Sequence, residues 1–197
     1  MSIFVKICGI RDLAHAEVAV DAGADALGFV FAESPRRVTP GEANAATDGL
    51  PRGVKRVAVM RHPSKEEWQE VLETFHPDAL QTDIEDFESL DIPDSVFRWP
   101  VVREPGNIED LPEMFVYEGA ESGTGETVDW SRAASVAEQG RMILAGGLAP
   151  DNIGTAIRKV RPWGVDVSSG VESEPGVKDA GKIREFIGAV GAAENDV

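Results

Sequence analysis

The sequence predicts an α/β protein, a single (β/α)8 TIM barrel with short loops. Strand and helix patterns alternate along all 197 residues, which is typical of parallel strands joined by helical crossovers. Eight β-type runs can be counted, each with a helical candidate after it. Barrels of this class usually need about 250 residues, so little chain is left for long loops. An open doubly wound sheet is the main alternative.

The elements follow one another in a regular order. The strand candidates are Ile3–Cys8, Ala26–Phe31, Val54–Met60, Ala79–Gln81, Val96–Val102, Met114–Glu118, Met142–Ala145 and Gly164–Val167. The helical candidates are Asp12–Ala22, Pro40–Gly49, Ser64–Phe75, a short segment after Asp83, a weaker one around Ile108, Trp130–Gln139, Pro150–Lys159 and Asp179–Val190. Capping residues such as Asp12, Ser64 and Asp129 mark helix starts, and Gly23 marks an end. The barrel domain is predicted to cover residues 1–190, and 191–197 to form a frayed C-terminal tail.

The charge balance excludes some classes of partner. The chain has 35 acidic and 19 basic residues, a formal charge of −16. A nucleic-acid binder needs clustered Lys and Arg, so no nucleic-acid partner is expected. Lys is scarcer than Arg, and an acidic surface poor in Lys is one way to stay hydrated at molar salt, which predicts a halophilic origin. The alternative is an ordinary acidic enzyme from a mesophile.

The apolar runs and the cysteine content predict a cytoplasmic location. No uninterrupted apolar run reaches the length of about 18 residues that a membrane span needs, so no membrane partner is expected. The segment Met1–Cys8 does not resemble a secretory signal. One cysteine cannot form an internal disulfide, which agrees with a reducing compartment.

The first strand brings two polar side chains toward the barrel interior. Its period of two puts Lys6 and Cys8 on the face opposite the aliphatic residues, which we expect to pack against helices. Cys8 would then lie at the C-terminal strand end, where active sites of such barrels occur. A thiol there can act as a general base if Lys6 or Arg36 lowers its pKa from about 8.5. The alternative is that Cys8 is only a small buried hydrophobe.

Two further charged residues follow strand ends at the same face. Arg36, after the second strand, offers a planar donor fork that suits a carboxylate or phosphate. Glu118, at the end of the sixth strand, has a carboxyl group that can donate a proton to a substrate oxygen. Taken singly, Arg36 is also explained as a solvated loop charge and Glu118 as a surface or salt-bridged acid.

Small residues follow the seventh and eighth strands, where barrels of this class commonly bind phosphate. Their backbone N–H groups can approach an anion closely. The candidates are Gly146, Gly147, Ser168, Ser169 and Gly170.

Six segments, in the same order as in the family, resemble phosphoribosylanthranilate isomerase of tryptophan biosynthesis. The resemblance runs from Val5 to about Phe186. The opening KICGI at 6–10 and the ending DVSSGVE at 166–172 are specific, whereas the glycine pairs are not. The other matches are Gly23–Phe31, Ser34–Arg36, Gly123–Gly125 with Asp129-Trp130, and Ala145–Leu148.

The resemblance implies an isomerase of the aldose–ketose, intramolecular oxidoreductase type. Its Amadori rearrangement converts N-(5-phosphoribosyl)anthranilate to 1-(o-carboxyphenylamino)-1-deoxyribulose 5-phosphate, with no metal and no cofactor. Cys8 matches the general base that takes the proton from ribose C2 after ring opening, and Arg36 matches the arginine that holds the anthranilate carboxylate. The five small residues match the phosphate cradle. The expected partner is a small phosphorylated substrate, and the protein is expected to be a monomer or homodimer.

Asp166 on the last strand is a further inward position. It would lie beside the first strand if the barrel closes, and it is then expected to pair with Lys6.

Two positions depart from the family pattern. Glu118 stands where the family usually has the aspartate that acts as general acid. Because Glu has one methylene more than Asp, the strand backbone must lie farther from the substrate. Glu121 is a possible substitute acid, and Tyr117 a distant one. Thr82 stands where the family commonly has histidine, so the function at that position is dispensable or altered.

Two alternative functions remain compatible with the sequence. One is a related barrel isomerase or synthase acting on another sugar phosphate. The other is a catalytically dead barrel that binds a phosphorylated metabolite or a partner subunit.

Overall fold

The computed structural model of the chain describes residues 2–104, 111–120 and 127–194. Parallel strands β1 to β8 close into one barrel in the order of the sequence, and β1 is hydrogen-bonded to β8. The predicted (β/α)8 barrel is confirmed. The alternative of an open sheet is excluded, because β1 and β8 would not be paired with each other in an open sheet and are hydrogen-bonded to each other here. The strands are β1 (Phe4–Cys8), β2 (Ala26–Val30), β3 (Lys55–Val59), β4 (Ala79–Asp83), β5 (Phe97–Arg103), β6 (Met114–Glu118), β7 (Arg141–Leu144) and β8 (Gly164–Val167).

The first four helices begin at the capping residues that the sequence indicates. Thr39 and Ser64 each form a capping box, the Asp12 and Asp129 side chains accept from backbone N–H groups, and Gly23 ends the first helix with φ 108°. The helices are α1 (Leu13–Ala22), α2 (Pro40–Ala45), α3 (Lys65–Phe75), α4 (Trp130–Ala137), α5 (Ile153–Val160) and α6 (Ala180–Glu194), with 3-10 helices at Ile84–Glu88 and Ser169–Val171. The helix expected around Ile108 lies outside the described residues.

The sheet separates two hydrophobic cores. One fills the space between the sheet and the helices and includes Val5 and Ile7. The other lies inside the barrel, where Phe4 packs against it and stacks on Trp163 with ring centroids 4.8 Å apart. The interior residues are Ala26, Val57, Ala79, Trp99, Val101, Val116, Ile143 and Ala145. The predicted alternation of β1 is confirmed, which leaves its polar residues for the interior.

The last helix continues beyond Val190, where the sequence predicts its end. Helix α6 continues to Glu194, because Ala193 extends the buried side of the helix on which Val190 lies. The Glu194 carboxylate accepts a hydrogen bond from the Ile3 backbone N–H. Residues 191–194 therefore pack with the barrel, and 195–197 lie outside the described residues.

An antiparallel hairpin that the sequence did not indicate follows β8. It consists of β9 (Glu172–Glu174) and β10 (Val177–Lys178). Strands of three and two residues are too short to show a period. None of the described helices combines the length and the apolar character needed to cross a bilayer.

Candidate active site

One cavity at the C-terminal end of the barrel collects most of the predicted site residues. Seven of the eight line it: Cys8, Arg36, Glu118, Gly146, Gly147, Ser168 and Ser169. Gly170 is not in the lining. A Cβ there would lie 2.0 Å from the Leu148 carbonyl oxygen. Gly170 therefore permits the close approach of the loops that follow β7 and β8.

Cys8 lies above a buried ion pair inside the barrel. The Lys6 ammonium is fully buried and lies 2.8 Å from Asp166 Oδ2, which confirms the predicted pairing of the first and last strands. Gly28 is the register partner of Cys8 on β2. A Cβ at Gly28 would lie 2.9 Å from the Cys8 sulfur and 3.0 Å from Lys6 Nζ. Gly28 therefore makes room for both side chains, a role that only the strand register reveals.

Burial dominates the ionisation of the Cys8 thiol, so the nearby cations that could lower its pKa do not bring it below the ordinary value. Cys8 is 8% exposed, and this burial raises the pKa of the thiol despite the opposing charge and hydrogen bond of Lys6. Asp166 adds to the upward shift. Arg36, the other proposed activator, is instead bound to a carboxylate. The resting thiol is therefore neutral at physiological pH.

This burial predicts a measurable pH dependence of thiol alkylation. Because only the thiolate reacts, we expect the rate with iodoacetamide to rise about tenfold per pH unit and to be still rising at about pH 9. The chain has one cysteine, so mass spectrometry reports this site alone. The urea-unfolded chain is the control, and its rate should reach half of its plateau at about pH 8.5, below the midpoint of the native protein. Levelling of the native rate below neutrality would contradict the raised pKa.

Arg36 is held in a buried cluster of charges. Its Nε and Nη2 donate to the two carboxylate oxygens of Glu172 at 2.8 and 2.9 Å. Lys178 Nζ donates to Glu172 Oε1 at 2.7 Å and to the Ser168 carbonyl at 2.9 Å. Although burial opposes it, the two cations lower the pKa of Glu172. Burial lowers the pKa of Lys178.

The cluster leaves one edge of the guanidinium for a ligand. Within the described residues Arg36 Nη1 has no hydrogen-bond partner, so the end of the donor fork remains available. Two cations and one carboxylate give the cluster a single net positive charge when all are ionised. Such a cluster can bind one anion.

Two glycines set the position of Arg36. A Cβ at Gly9, where φ is 77°, would lie 2.7 Å from the Arg36 side chain. A Cβ at Gly176, in the β9–β10 turn, would lie 2.4 Å from the Pro35 carbonyl oxygen. The hairpin is therefore packed directly on the loop that carries Arg36. The sequence motif ending in Glu172 points to this region but not to the ion pair.

Glu118 is also paired. Arg103, the last residue of β5, contacts the Glu118 carboxylate through Nη1, and its Nη2 lies 2.7 Å from Asp83 Oδ1. No sequence motif marks Arg103 or Asp83 as a site residue. Thr82 is fully buried, does not line the cavity, and donates its hydroxyl hydrogen to Asp86.

Two other residues, Glu121 and Tyr117, are the alternatives to Glu118 as the general acid. Glu121 lies outside the described residues, as do Gly123–Gly125. Tyr117 faces the outer core and donates to Glu104 Oε1 at 3.2 Å. Burial and the charge of Glu104 raise the pKa of Tyr117 to about 12. Tyr117 is not in the cavity lining, so its position does not support the remote alternative that it replaces Glu118 as the acid.

The β7 and β8 loops have the geometry of an anion cradle. Gly146 and Gly147 have φ of 89° and 62°, conformations that favour glycine. Asn152 fixes this turn, because its side chain accepts from the Ala149 N–H at 2.9 Å and donates to the Gly147 carbonyl at 2.8 Å. Helix α5 begins after Asn152, later than predicted. Backbone N–H groups near such helix starts are suited to bind phosphate.

Two buried oxygen acceptors in the cavity lining accept no hydrogen bond from the described residues. Gln81 Oε1 and Asp166 Oδ1 are buried and make no hydrogen bond with the described residues. Buried acceptors are usually paired, so a ligand with hydroxyl groups fits this part of the cavity.

A possible cation site lies beside the cavity. Among the described residues, His62, Asp83 and Asp86 bring ligand atoms within 4.8 Å of one another. The guanidinium of Arg103 next to Asp83 opposes a second positive charge there. These residues therefore provide no argument for a metal centre.

A family model described as N-(5'phosphoribosyl)anthranilate (PRA) isomerase matches residues 5–189. The N-(5'-phosphoribosyl)anthranilate isomerase of Pelobacter propionicus is 43% identical over 196 residues, 94% of this chain and 94% of that protein. The enzyme of the same name from Roseiflexus castenholzii is 38% identical over 213 residues, covering 97% and 99% of the two chains.

Solved structures give the same result. Phosphoribosyl anthranilate isomerase from Thermotoga maritima superposes with a TM-score of 0.85 at 33% identity, covering 96% of this chain and 99% of that one. A structure of phosphoribosyl anthranilate isomerase in complex with reduced 1-(o-carboxyphenylamino)-1-deoxyribulose 5-phosphate has a TM-score of 0.81 at 34% identity, covering 96% of this chain and 99% of that one.

Proposed function

The chain belongs to the N-(5'-phosphoribosyl)anthranilate isomerase family, and from this premise we propose how it performs the Amadori rearrangement. It is an isomerase that converts N-(5-phosphoribosyl)anthranilate to 1-(o-carboxyphenylamino)-1-deoxyribulose 5-phosphate in tryptophan biosynthesis. The residue roles below are our proposal.

The two anionic ends of the substrate match two parts of the cavity. The phosphate binds to the backbone of the β7 and β8 loops, where Gly146, Gly147, Ser168 and Ser169 lie. The anthranilate carboxylate binds the free edge of Arg36, whose orientation Glu172 maintains. The ribose hydroxyls face Gln81 Oε1 and Asp166 Oδ1. A related structure holds a ligand with the same phosphate, hydroxyl and carboxylate groups.

The reaction needs an acid and then a base. Glu118, in its protonated form, donates a proton to the ring oxygen, the C1–O bond breaks, and the nitrogen lone pair forms a C=N bond. The Cys8 thiolate then takes the proton from C2, and the electron pair of that C–H bond forms the enolamine, which tautomerises to the ketone. Because the resting thiol is neutral, Cys8 must first release its proton to solvent through the cavity, and the Lys6 ammonium stabilises the resulting thiolate.

The observation that carries this proposal is the convergence of Cys8, Glu118 and Arg36 with the anion cradle on one cavity. A barrel acting on another sugar phosphate would not need an arginine for the anthranilate carboxylate. A catalytically dead barrel would not need the thiol and the carboxyl group together.

An assay of turnover tests the activity directly. The purified protein should consume fluorescent phosphoribosylanthranilate, and the product should have the mass of the substrate because isomerisation changes no composition. The Arg36→Met variant should raise KM more than it lowers kcat, since it removes a binding contact. Binding of the substrate without any loss of fluorescence would support the dead barrel instead.

A cytoplasmic location at high salt is a further proposal. It is supported by the formal charge of −16 and the single cysteine. Dialysis into dilute buffer should then unfold the protein, because unscreened carboxylates repel one another. Circular dichroism measures the loss, and an unchanged spectrum in dilute buffer would favour the ordinary acidic enzyme.

A further inference from the structure

The last residues of three neighbouring strands form a row of charges at the rim of the cavity. Asp83 ends β4, Arg103 ends β5 and Glu118 ends β6. Arg103 is the register partner of Glu118. Its guanidinium lies between the two carboxylates, touching Glu118 with Nη1 and lying 2.7 Å from Asp83 with Nη2. Arg103 thus connects the proposed acid to a carboxylate on a third strand.

The row is shielded from water and anchored at the end away from Glu118. The side chains of Asp83, Glu118 and Arg103 are 8%, 12% and 22% exposed. Ion pairs with this little exposure are screened less than surface pairs. Asp83 also lies 3.3 Å from the His62 ring through its other oxygen. The contact of Arg103 with Asp83 is an ion pair without hydrogen-bond geometry. Asp83 therefore holds the guanidinium by charge, and the guanidinium holds the Glu118 carboxylate by a hydrogen bond.

The contact with Arg103 restricts the Glu118 side chain, which has one methylene more than the aspartate usual in the family. A longer side chain carries the carboxyl group farther from its strand and adds a rotatable bond. A misplacement of about 1 Å can cost about 100-fold in rate. Contact with a guanidinium on the adjacent strand holds the carboxyl group against the barrel wall. The same contact stabilises the carboxylate that remains after Glu118 has donated its proton.

We propose that Arg103 is a positioning residue for the isomerisation: it sets the location of the Glu118 carboxyl group and is itself held by Asp83. This inference rests on the proposed role of Glu118 as the general acid. It accounts for Arg103 and Asp83, which the family resemblance does not explain.

A double-mutant cycle on kcat tests the proposal. Arg103→Met should lower kcat by about 10- to 100-fold with little change in KM, because substrate binding is kept and the acid is misplaced. In the Glu118→Gln background the same substitution should cause no further loss, since two residues that act as a unit are non-additive. Arg103→Lys, which keeps a cation, should recover part of the rate. Arg98→Met, an exposed arginine earlier on β5, is the matched control and should leave kcat unchanged.

The outcomes separate the two proposals. Equal losses from Arg103→Met in the wild-type and Glu118→Gln backgrounds would overturn the positioning role while the acid assignment stands. Full activity of Glu118→Gln would overturn the acid assignment and the inference with it. If Arg103→Met does not fold, Asp83→Asn releases the guanidinium without removing it, and its smaller loss of kcat should likewise vanish in the Glu118→Gln background. A loss that persists there would contradict the proposal.

Discussion

Replacing Cys8 with alanine is expected to lower kcat by at least about 100-fold, the range for losing a general base. The substrate should still bind, because Arg36 and the anion cradle are untouched, so KM should change little. The reason is that no other described thiol, imidazole or amine lines the cavity at the end of β1. Kinetics with fluorescent phosphoribosylanthranilate measures the loss.

Two controls make this result specific to the base. Cys8→Ser keeps the size of the side chain but offers a hydroxyl that ionises far less readily, so it should be as inactive as the alanine variant. The melting temperature of both variants should stay close to that of the wild type, since each removes or replaces a single atom. A Cys8→Ala enzyme with unchanged turnover would refute the proposed base.

Replacing Lys6 with methionine is expected to destabilise the fold by about 3–5 kcal/mol, the range for removing one partner of a buried ion pair. The substitution leaves the Asp166 carboxylate inside the barrel, where it is 7% exposed, without its cation. The free energy of unfolding from urea titration measures the effect.

A second substitution distinguishes the ion pair from lost packing. Adding Asp166→Asn to Lys6→Met removes the uncompensated charge, so most of the lost stability should return. Lys65→Met, at an exposed position at the start of α3, should change stability by less than about 0.5 kcal/mol. A Lys6→Met protein within about 1 kcal/mol of the wild type would show that the pair contributes little.

The barrel itself could be predicted from the sequence because its elements are local. Periods of two and of about 3.6 residues, together with capping residues, indicate strands and helices without knowledge of distant contacts. The pairing of Lys6 with Asp166 also followed, since closure of any eight-stranded barrel puts β1 beside β8. The family motifs then indicated Cys8, Arg36 and Glu118.

Contacts at strand ends could not be predicted, because they depend on boundaries within two residues. The strand predicted to end at Val102 continues to Arg103, and the one predicted to end at Gln81 continues to Asp83. These short extensions turn two apparent loop residues into inward-facing ones: Arg103, which pairs with Glu118, and Asp83, which pairs with Arg103. The direction of the Cys8 pKa shift was equally inaccessible, because it depends on whether burial outweighs the charge of Lys6.

One carboxylate connects both ends of the binding cavity. Glu172 orients Arg36, the proposed anchor for the substrate carboxylate, and holds Lys178, which contacts Ser168 in the proposed phosphate cradle. Attempts to engineer this barrel for new ligands should therefore leave position 172 untouched, because any change there would disturb both anchoring points together. Diversification is better directed at lining positions outside this cluster, such as Arg61 and Val101.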